Sequence, residues 1–205
     1  GRWRPCGRRW GVQPVAPESV STLHAWMNLV LNVRSFSSDP IPAEAEQALL
    51  ESFRLGPSSA NVQPWELVRI EPEAMRQRVI AATLDPFLSP GTEGAQAWIA
   101  GAPLLLAVCL DRPRATARIG ERGWEQSAQD AFAALQNLRL TAVALGLATA
   151  VVREFEPETM QKALGLPFTV EPLCLVAAGR SDSPPEIPPR LPLERILHRE
   201  GAWEQ

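Results

Sequence analysis

The sequence predicts an α+β layered domain. Helical and strand patterns interleave without the strict strand-helix alternation of a doubly wound sheet. Two short runs, APLLLAVCL (residues 102–110) and LCLVAAG (residues 173–179), are continuously apolar, as strands covered on both faces must be. One Ala- and Leu-rich helical segment, residues 127–147, is long enough to cover a sheet. At 205 residues and 22.5 kDa the chain is one ordinary domain, and a chain of this length buries roughly 70% of its unfolded surface without a disulfide scaffold.

Residues 1–20 carry Arg2, Arg4, Arg8 and Arg9 with no acid before Glu18 and no periodicity, which predicts a flexible N-terminal extension or a short basic arm. The folded domain is expected over residues 21–205. Ser21 is the candidate N-cap of a first helix, because Leu23, Trp26, Met27, Val30 and Leu31 follow at helical spacing to about Asn32. The Pro-bounded turn SSDPIP leads to a helix over residues 43–55 with Leu49, Leu50 and Phe53 facing inward. Residues 65–70 alternate as a strand and 72–82 are helical. The run at 102–110, bounded by Pro103 and Asp111, belongs in the middle of the sheet, and Gly146 closes the long helix. Residues 149–152 form a strand, 157–164 a helix and 173–179 the last strand. The proline-rich tail turns helical near Leu193.

Twenty basic against twenty-three acidic residues leave a net charge of −3, too small to mark a nucleic-acid binder, so a small-molecule partner is expected. Cys109 and Cys174 sit in apolar runs where buried reduced thiols are usual, and Cys6 completes an odd set without metal-type spacing. No apolar run approaches the ~18 residues of a membrane span, and the expected compartment is the cytoplasm. There is no Gly-rich dinucleotide or phosphate loop, no HExxH, no CxxC and no Gly-x-Ser-x-Gly. His24 and His198 have no nearby ligand set and read as surface or packing residues. No triad or metal centre is therefore expected to carry the chemistry.

The most distinctive stretch is GPSSANVQPW, residues 56–65, between a predicted helix and a predicted strand. It concentrates short donors and acceptors, Ser58, Ser59, Asn61 and Gln63, on a connection stiffened by Pro57 and Pro64. Such a loop suits the polar edge of a flat heterocycle, although Pro, Ser and Asn also make ordinary turns. PSSANVQPW resembles the PSSxNxQPW signature of the FMN-dependent nitroreductase family. NVRSFSSDPIP (residues 32–42), AGAPLLLAV (100–108), NLRLTAVALGL (137–147) and the tail from Gly179 to Leu197 resemble further segments of that family in the same order.

The resemblance implies a central, mainly antiparallel sheet flanked by helices, and an intertwined homodimer with two FMN molecules at its interface. It implies a ping-pong oxidoreductase that takes hydride from NAD(P)H and reduces a nitroaromatic, quinone or related acceptor, with the reactive atom on the cofactor and no protein residue assured as catalytic. Carried over, Pro57, Ser58 and Asn61 contact the flavin ring and Gln63 supports their loop. Asn32 and Arg34 belong to a second segment, with Arg34 reaching the phosphate or the N1 and O2 side of the ring, and Arg190 binds the phosphate. Arg153 and Glu154, in VVREF after the long helix, either line the substrate pocket or are exposed loop charges. Trp124 either stacks in a substrate lid or packs.

Three departures bear on flavin affinity. Val30 and Leu31 stand where many members have a basic pair, Asn32 replaces a usual Ser, and Pro188 stands where some have a second basic phosphate ligand. A shorter-turn register would equate Arg34 and Ser35 with the family's Arg-Ser. The departures leave room for a flavin-sequestering protein without turnover, and the fold also hosts dehalogenation and biosynthetic dehydrogenation. Flavin fragmentation fits less well, because relatives of that kind usually replace the loop Asn that Asn61 keeps.

Overall fold

The computed structural model describes residues 16–87, 90–183 and 186–198. The sheet has four strands, β1 (Trp65–Arg69), β2 (Leu104–Asp111), β3 (Ala148–Val152) and β4 (Val170–Gly179), all antiparallel in the order β1-β2-β4-β3. The two continuously apolar runs are thus the two interior strands. In β2 the residues alternate between two separate cores. Leu104, Leu106, Val108 and Leu110 face one, and Leu105, Ala107 and Cys109 face the other.

The first core is closed by α2 (Ala43–Arg54) and α5 (Glu121–Ala144), which supply Leu49, Phe53, Leu135 and Leu138. Burying side chains such as Leu49 and Phe53 contributes roughly 1.5–3 kcal/mol each. The second core is closed by α3 (Glu73–Ala81) and α6 (Pro157–Leu164), through Val79, Ile80, Met160, Ala163 and Leu164. Helices therefore cover both faces of an antiparallel sheet, in agreement with the α+β expectation. At Pro172, which has no N–H to donate, the β2–β4 register shifts between Val108 and Cys109 and leaves Leu173 as the extra residue.

The short helix α4 (Arg112–Thr116) is capped by the Asp111 carboxylate, which accepts from the Arg114 N–H at 2.8 Å. The helix α6 begins with Pro157 at its first position and ends on Gly165 in the left-handed region at φ 68, matching the predicted bounds.

Two helix starts differ from expectation. The first helix, α1, spans Pro17–Asn28, so Ser21 is not its cap: Ser21 lies inside, its hydroxyl donating to the Pro17 carbonyl at 3.4 Å. Proline at the first position starts this helix where a polar cap was expected. Residues 1–15 of the predicted extension lie outside the described residues. The long helix begins at Glu121, not Ser127, because the polar stretch ERGWEQ continues it as a solvated first turn and a half. Trp124 consequently sits within α5. The apolar face of α1 is uncovered, with Leu23, Trp26 and Met27 at 38%, 37% and 43% exposure.

Candidate active site

The loop between α2 and β1 starts where the chain passes tightly over α5. A Cβ on Gly56 would lie 2.3 Å from the Ala134 Cβ, so only glycine fits. Ser58 then organises the turn: its hydroxyl accepts from the Gln63 N–H at 2.9 Å and its carbonyl from the Asn61 N–H at 2.9 Å. Ala60, Asn61 and Gln63 are all held in the left-handed region, at φ 51, 54 and 49. For side chains other than glycine this conformation costs of order 1 kcal/mol or more, least for Asn, and it persists only where surrounding contacts impose it.

Those contacts come from three directions. The Asp130 carboxylate of α5 accepts from the Ser59 N–H at 2.9 Å and from its hydroxyl at 3.3 Å. Arg114 donates to the carbonyls of Gln63 and Trp65 at 3.2 and 3.1 Å while paired with Glu66. Arg118 donates to the Ala60 carbonyl at 2.9 Å. Gln63 Nε2 donates to Asn61 Oδ1 at 3.3 Å, and the amide N–H groups of Asn61, an exposed residue, have no acceptor among the described residues. Pro57 is exposed and Ser58 half-buried beside it.

The second group of site residues gathers around β3. Asn32 bridges Thr149 in parallel, and the Val33 N–H donates to the Thr149 carbonyl at 3.0 Å. Asn32 Oδ1 accepts twice, from Arg139 Nη2 at 3.0 Å and from the Val151 N–H at 3.2 Å. Arg139 also donates from Nη2 to the Leu31 carbonyl at 3.0 Å and from Nε to Thr149 Oγ1 at 3.1 Å. Its partners are all neutral, and burial draws its pKa below the ordinary arginine value. Asn32, Phe132, Gln136, Arg139, Arg153 and Glu154 line a cavity of about 250 Å³. Arg153 stands over the Phe132 ring at 5.9 Å, and Glu154 turns back so that its Oε2 accepts from the Arg153 N–H at 3.0 Å.

The structure thus brings Asn32, Arg153 and Glu154 together and sets Pro57, Ser58, Asn61 and Gln63 together elsewhere. The two groups lie on opposite sides of α5. At about 100° per residue, Phe132 points roughly 200° away from Asp130, and Gln136 and Arg139 lie on the Phe132 side. A helix with side chains is about 10–12 Å across, so within one chain the two groups do not face each other. Arg34 and Arg190 are exposed and make no hydrogen bond or ion pair among the described residues. Trp124 is not brought to the cavity. It lies eight residues before Phe132 on α5, packed toward the α2–α5 core with Arg112 stacked on its ring at 4.8 Å.

Asp130 and Arg139 were not singled out by sequence. Each is one charged residue in an Ala- and Leu-rich helix, where a solvated surface charge is the usual outcome. Among the described residues no group of three or more His, Cys, Asp or Glu side chains could hold a metal ion, and no helix is long and apolar enough to cross a membrane.

The sequence pattern of the Nitroreductase family matches residues 32–180. An NADH dehydrogenase of Thermus thermophilus is 28% identical over 194 residues, covering 81% of this chain and 90% of its own. A 5,6-dimethylbenzimidazole synthase of Rhodobacter capsulatus is 29% identical, with 85% and 86% covered. The NADPH:FMN oxidoreductase of Vibrio harveyi, solved with NAD+, superposes with a TM-score of 0.75 at 23% identity over 89% of this chain and 79% of that one. Spanning as it does both the apolar interior strands and the Asn32, Ser58 and Arg153 segments, the match establishes that the chain belongs to the nitroreductase family.

Proposed function

We propose that this chain is an NAD(P)H-dependent FMN oxidoreductase acting on a small-molecule acceptor as a homodimer. The observation that carries the reading is the Ser58–Gln63 turn, whose three left-handed residues, Ala60, Asn61 and Gln63, are held by the Asp130, Arg114 and Arg118 contacts and whose exposed Asn61 amide N–H groups donate to no described residue. Strain maintained at this cost in a loop that resembles a flavin-binding signature supports a recognition role.

The residues present suit FMN. Asn61 offers donors to the polar edge of the ring, Arg34 and Arg190 are cations without partners among the described residues, and the cavity beside Asn32 admits a flat ring edge. Bound FMN would supply the two-electron chemistry, taking hydride from the nicotinamide and passing electrons to the acceptor. The chain's part is to hold, orient and polarise. Gln63 fixes the Asn61 amide, Asp130 fixes the loop, and Arg139 fixes Asn32.

The opposite placement of the two residue groups on α5 supports a site completed by a second copy, the loop from one chain meeting the Asn32 and Arg34 side of the other. The uncovered apolar face of α1 supports the same assembly. A mixing experiment tests it. Asn61→Ala and Arg34→Ala each break one half-site, and each alone is expected to bind FMN weakly. Unfolded together and refolded, random pairing should restore about a quarter of the wild-type sites, because half the dimers then carry one intact site of two. Recovery of no sites would contradict the shared site.

Similarity to a 5,6-dimethylbenzimidazole synthase of Rhodobacter capsulatus carries a second reading, a specialised biosynthetic reaction, of which flavin fragmentation is the form that the retained Asn61 disfavours. Aerobic incubation with excess FMN and NADPH separates the two: flavin recovered intact supports the oxidoreductase, and stoichiometric loss of flavin supports the synthase.

A further inference from the structure

A half-buried cation held only by neutral acceptors retains its charge for whatever enters the space beside it, and Arg139 is such a cation. Its guanidinium reaches Thr149 Oγ1, the Leu31 carbonyl and Asn32 Oδ1 at 3.0–3.1 Å and makes no ion pair among the described residues. The one carboxylate lining the same cavity, Glu154, accepts from the Arg153 N–H at 3.0 Å and keeps its charge. Two arginines, Arg139 and Arg153, against the single carboxylate of Glu154 leave the cavity lining one positive charge in excess, which favours an anionic occupant.

The same contacts fix which end of the Asn32 amide that occupant meets. Two donors, Arg139 Nη2 and the Val151 N–H, converge on Oδ1 at 3.0 and 3.2 Å. The oxygen is consumed, so the amide must present its N–H groups. The cavity edge consequently offers the Asn32 N–H pair and a net positive charge, from the Arg139 and Arg153 guanidinium groups against the Glu154 carboxylate. The chain carries Val30 and Leu31 just before Asn32, so the segment supplies no cation on that side of Asn32, its own arginine being Arg34. Arg139 brings one to the Leu31 carbonyl from a different element, α5.

We propose that Arg139 is a positioning residue for the flavin, holding the Asn32 amide with its N–H groups toward the cavity and lending positive potential that favours the reduced, more negatively charged form of the cofactor. This rests on the flavin reading above. A residue that merely braced the fold would weaken oxidised and reduced FMN alike when removed. One that acts through charge and through Asn32 weakens reduced FMN more, and the difference is read directly as a midpoint potential.

The test compares Arg139→Met, Arg139→Lys and Asn32→Ala in the FMN-loaded protein, by dye-equilibrated potentiometry and by FMN titration followed through fluorescence quenching. Arg139→Met is expected to weaken binding of two-electron-reduced FMN about tenfold more than that of oxidised FMN, which is a fall of about 30 mV in potential. Arg139→Lys, which keeps the charge and loses the fork, should recover at least half of that fall. Asn32→Ala should lower the potential on its own, and adding it to Arg139→Met should produce less than the sum of the two single effects. Potentials within 5 mV of wild type in both Arg139→Met and Asn32→Ala would overturn the proposal. Should Arg139→Met fail to fold, Asn32→Ala, at an exposed position, decides alone. Wild-type protein that binds no FMN defeats the flavin reading itself, whereas FMN bound at a potential indifferent to these variants defeats only the role of Arg139.

Discussion

The Asp130 carboxylate holds Ser59 twice, through the backbone N–H at 2.9 Å and the hydroxyl at 3.3 Å, across 71 residues of sequence. One α5 side chain thereby sets the position of the turn that displays Asn61. Asp130→Ala leaves the half-buried Ser59 N–H without its charged acceptor, which costs about 1–3 kcal/mol of stability. It is also expected to weaken FMN binding, since the left-handed residues lose one of their three supports. Urea unfolding and FMN titration check the two effects, and wild-type values in both would contradict the anchoring role.

Gly56→Ala tests the close passage over α5. The added methyl would meet the Ala134 Cβ at 2.3 Å and its Cα at 2.6 Å, with backbone on both sides. Overpacking of this kind typically costs about 1–3 kcal/mol. Ala134→Gly removes the Cβ contact but leaves the Cα at 2.6 Å and costs about 1 kcal/mol in helix propensity, so the double variant should lose less than the sum of the single losses without regaining wild-type stability. Equilibrium denaturation of the three variants measures it.

Asn61→Ala and Arg190→Ala act on FMN from two sides. Loss of a charge-assisted hydrogen bond to the phosphate at Arg190 is worth about 1.5–3 kcal/mol, roughly ten- to a hundredfold in Kd. Asn61→Ala should cost less in affinity, because its contacts are neutral. Fluorescence titration provides both constants, and wild-type affinity in both variants would show these assignments to be wrong.

Burial pushes the Cys109 and Cys174 thiols from an ordinary value of 9.0 up to about 12. Between those values the unfolded chain sheds protons that the folded chain keeps. Each thiol therefore withdraws about 1.4 kcal/mol of stability per pH unit above pH 9 and has no effect below it. Cys174→Ala should flatten the alkaline slope of unfolding free energy by about half. Native protein near pH 8 should not react with a thiol reagent at either position until it unfolds. Rapid labelling of the folded protein at Cys109 or Cys174 would contradict their burial.

Legibility in the sequence followed the strength of local signals. The helix α6 was readable to its ends because Pro157 and Gly165 mark both, and the interior strands because a continuous apolar run has few other uses. The start of α5 was not, since ERGWEQ offers one apolar residue in six and no periodicity. Ser21 misled as a cap because proline at the start of α1 does the same work four residues earlier. The Ser58–Asn61 turn stood out by composition and resemblance, but its supports did not. Asp130, Arg114, Arg118 and Arg139 each act through at least one contact 49 to 108 residues away in sequence, and only the folded chain brings those partners to them.

Anaerobic titration of the FMN-reconstituted protein with NADH and with NADPH bears most directly on the oxidoreductase reading. One equivalent per flavin of at least one nicotinamide is expected to bleach the flavin absorbance, and a quinone or nitroaromatic acceptor added without air should restore it. Flavin that stays fully oxidised in excess of both nicotinamides would contradict that reading.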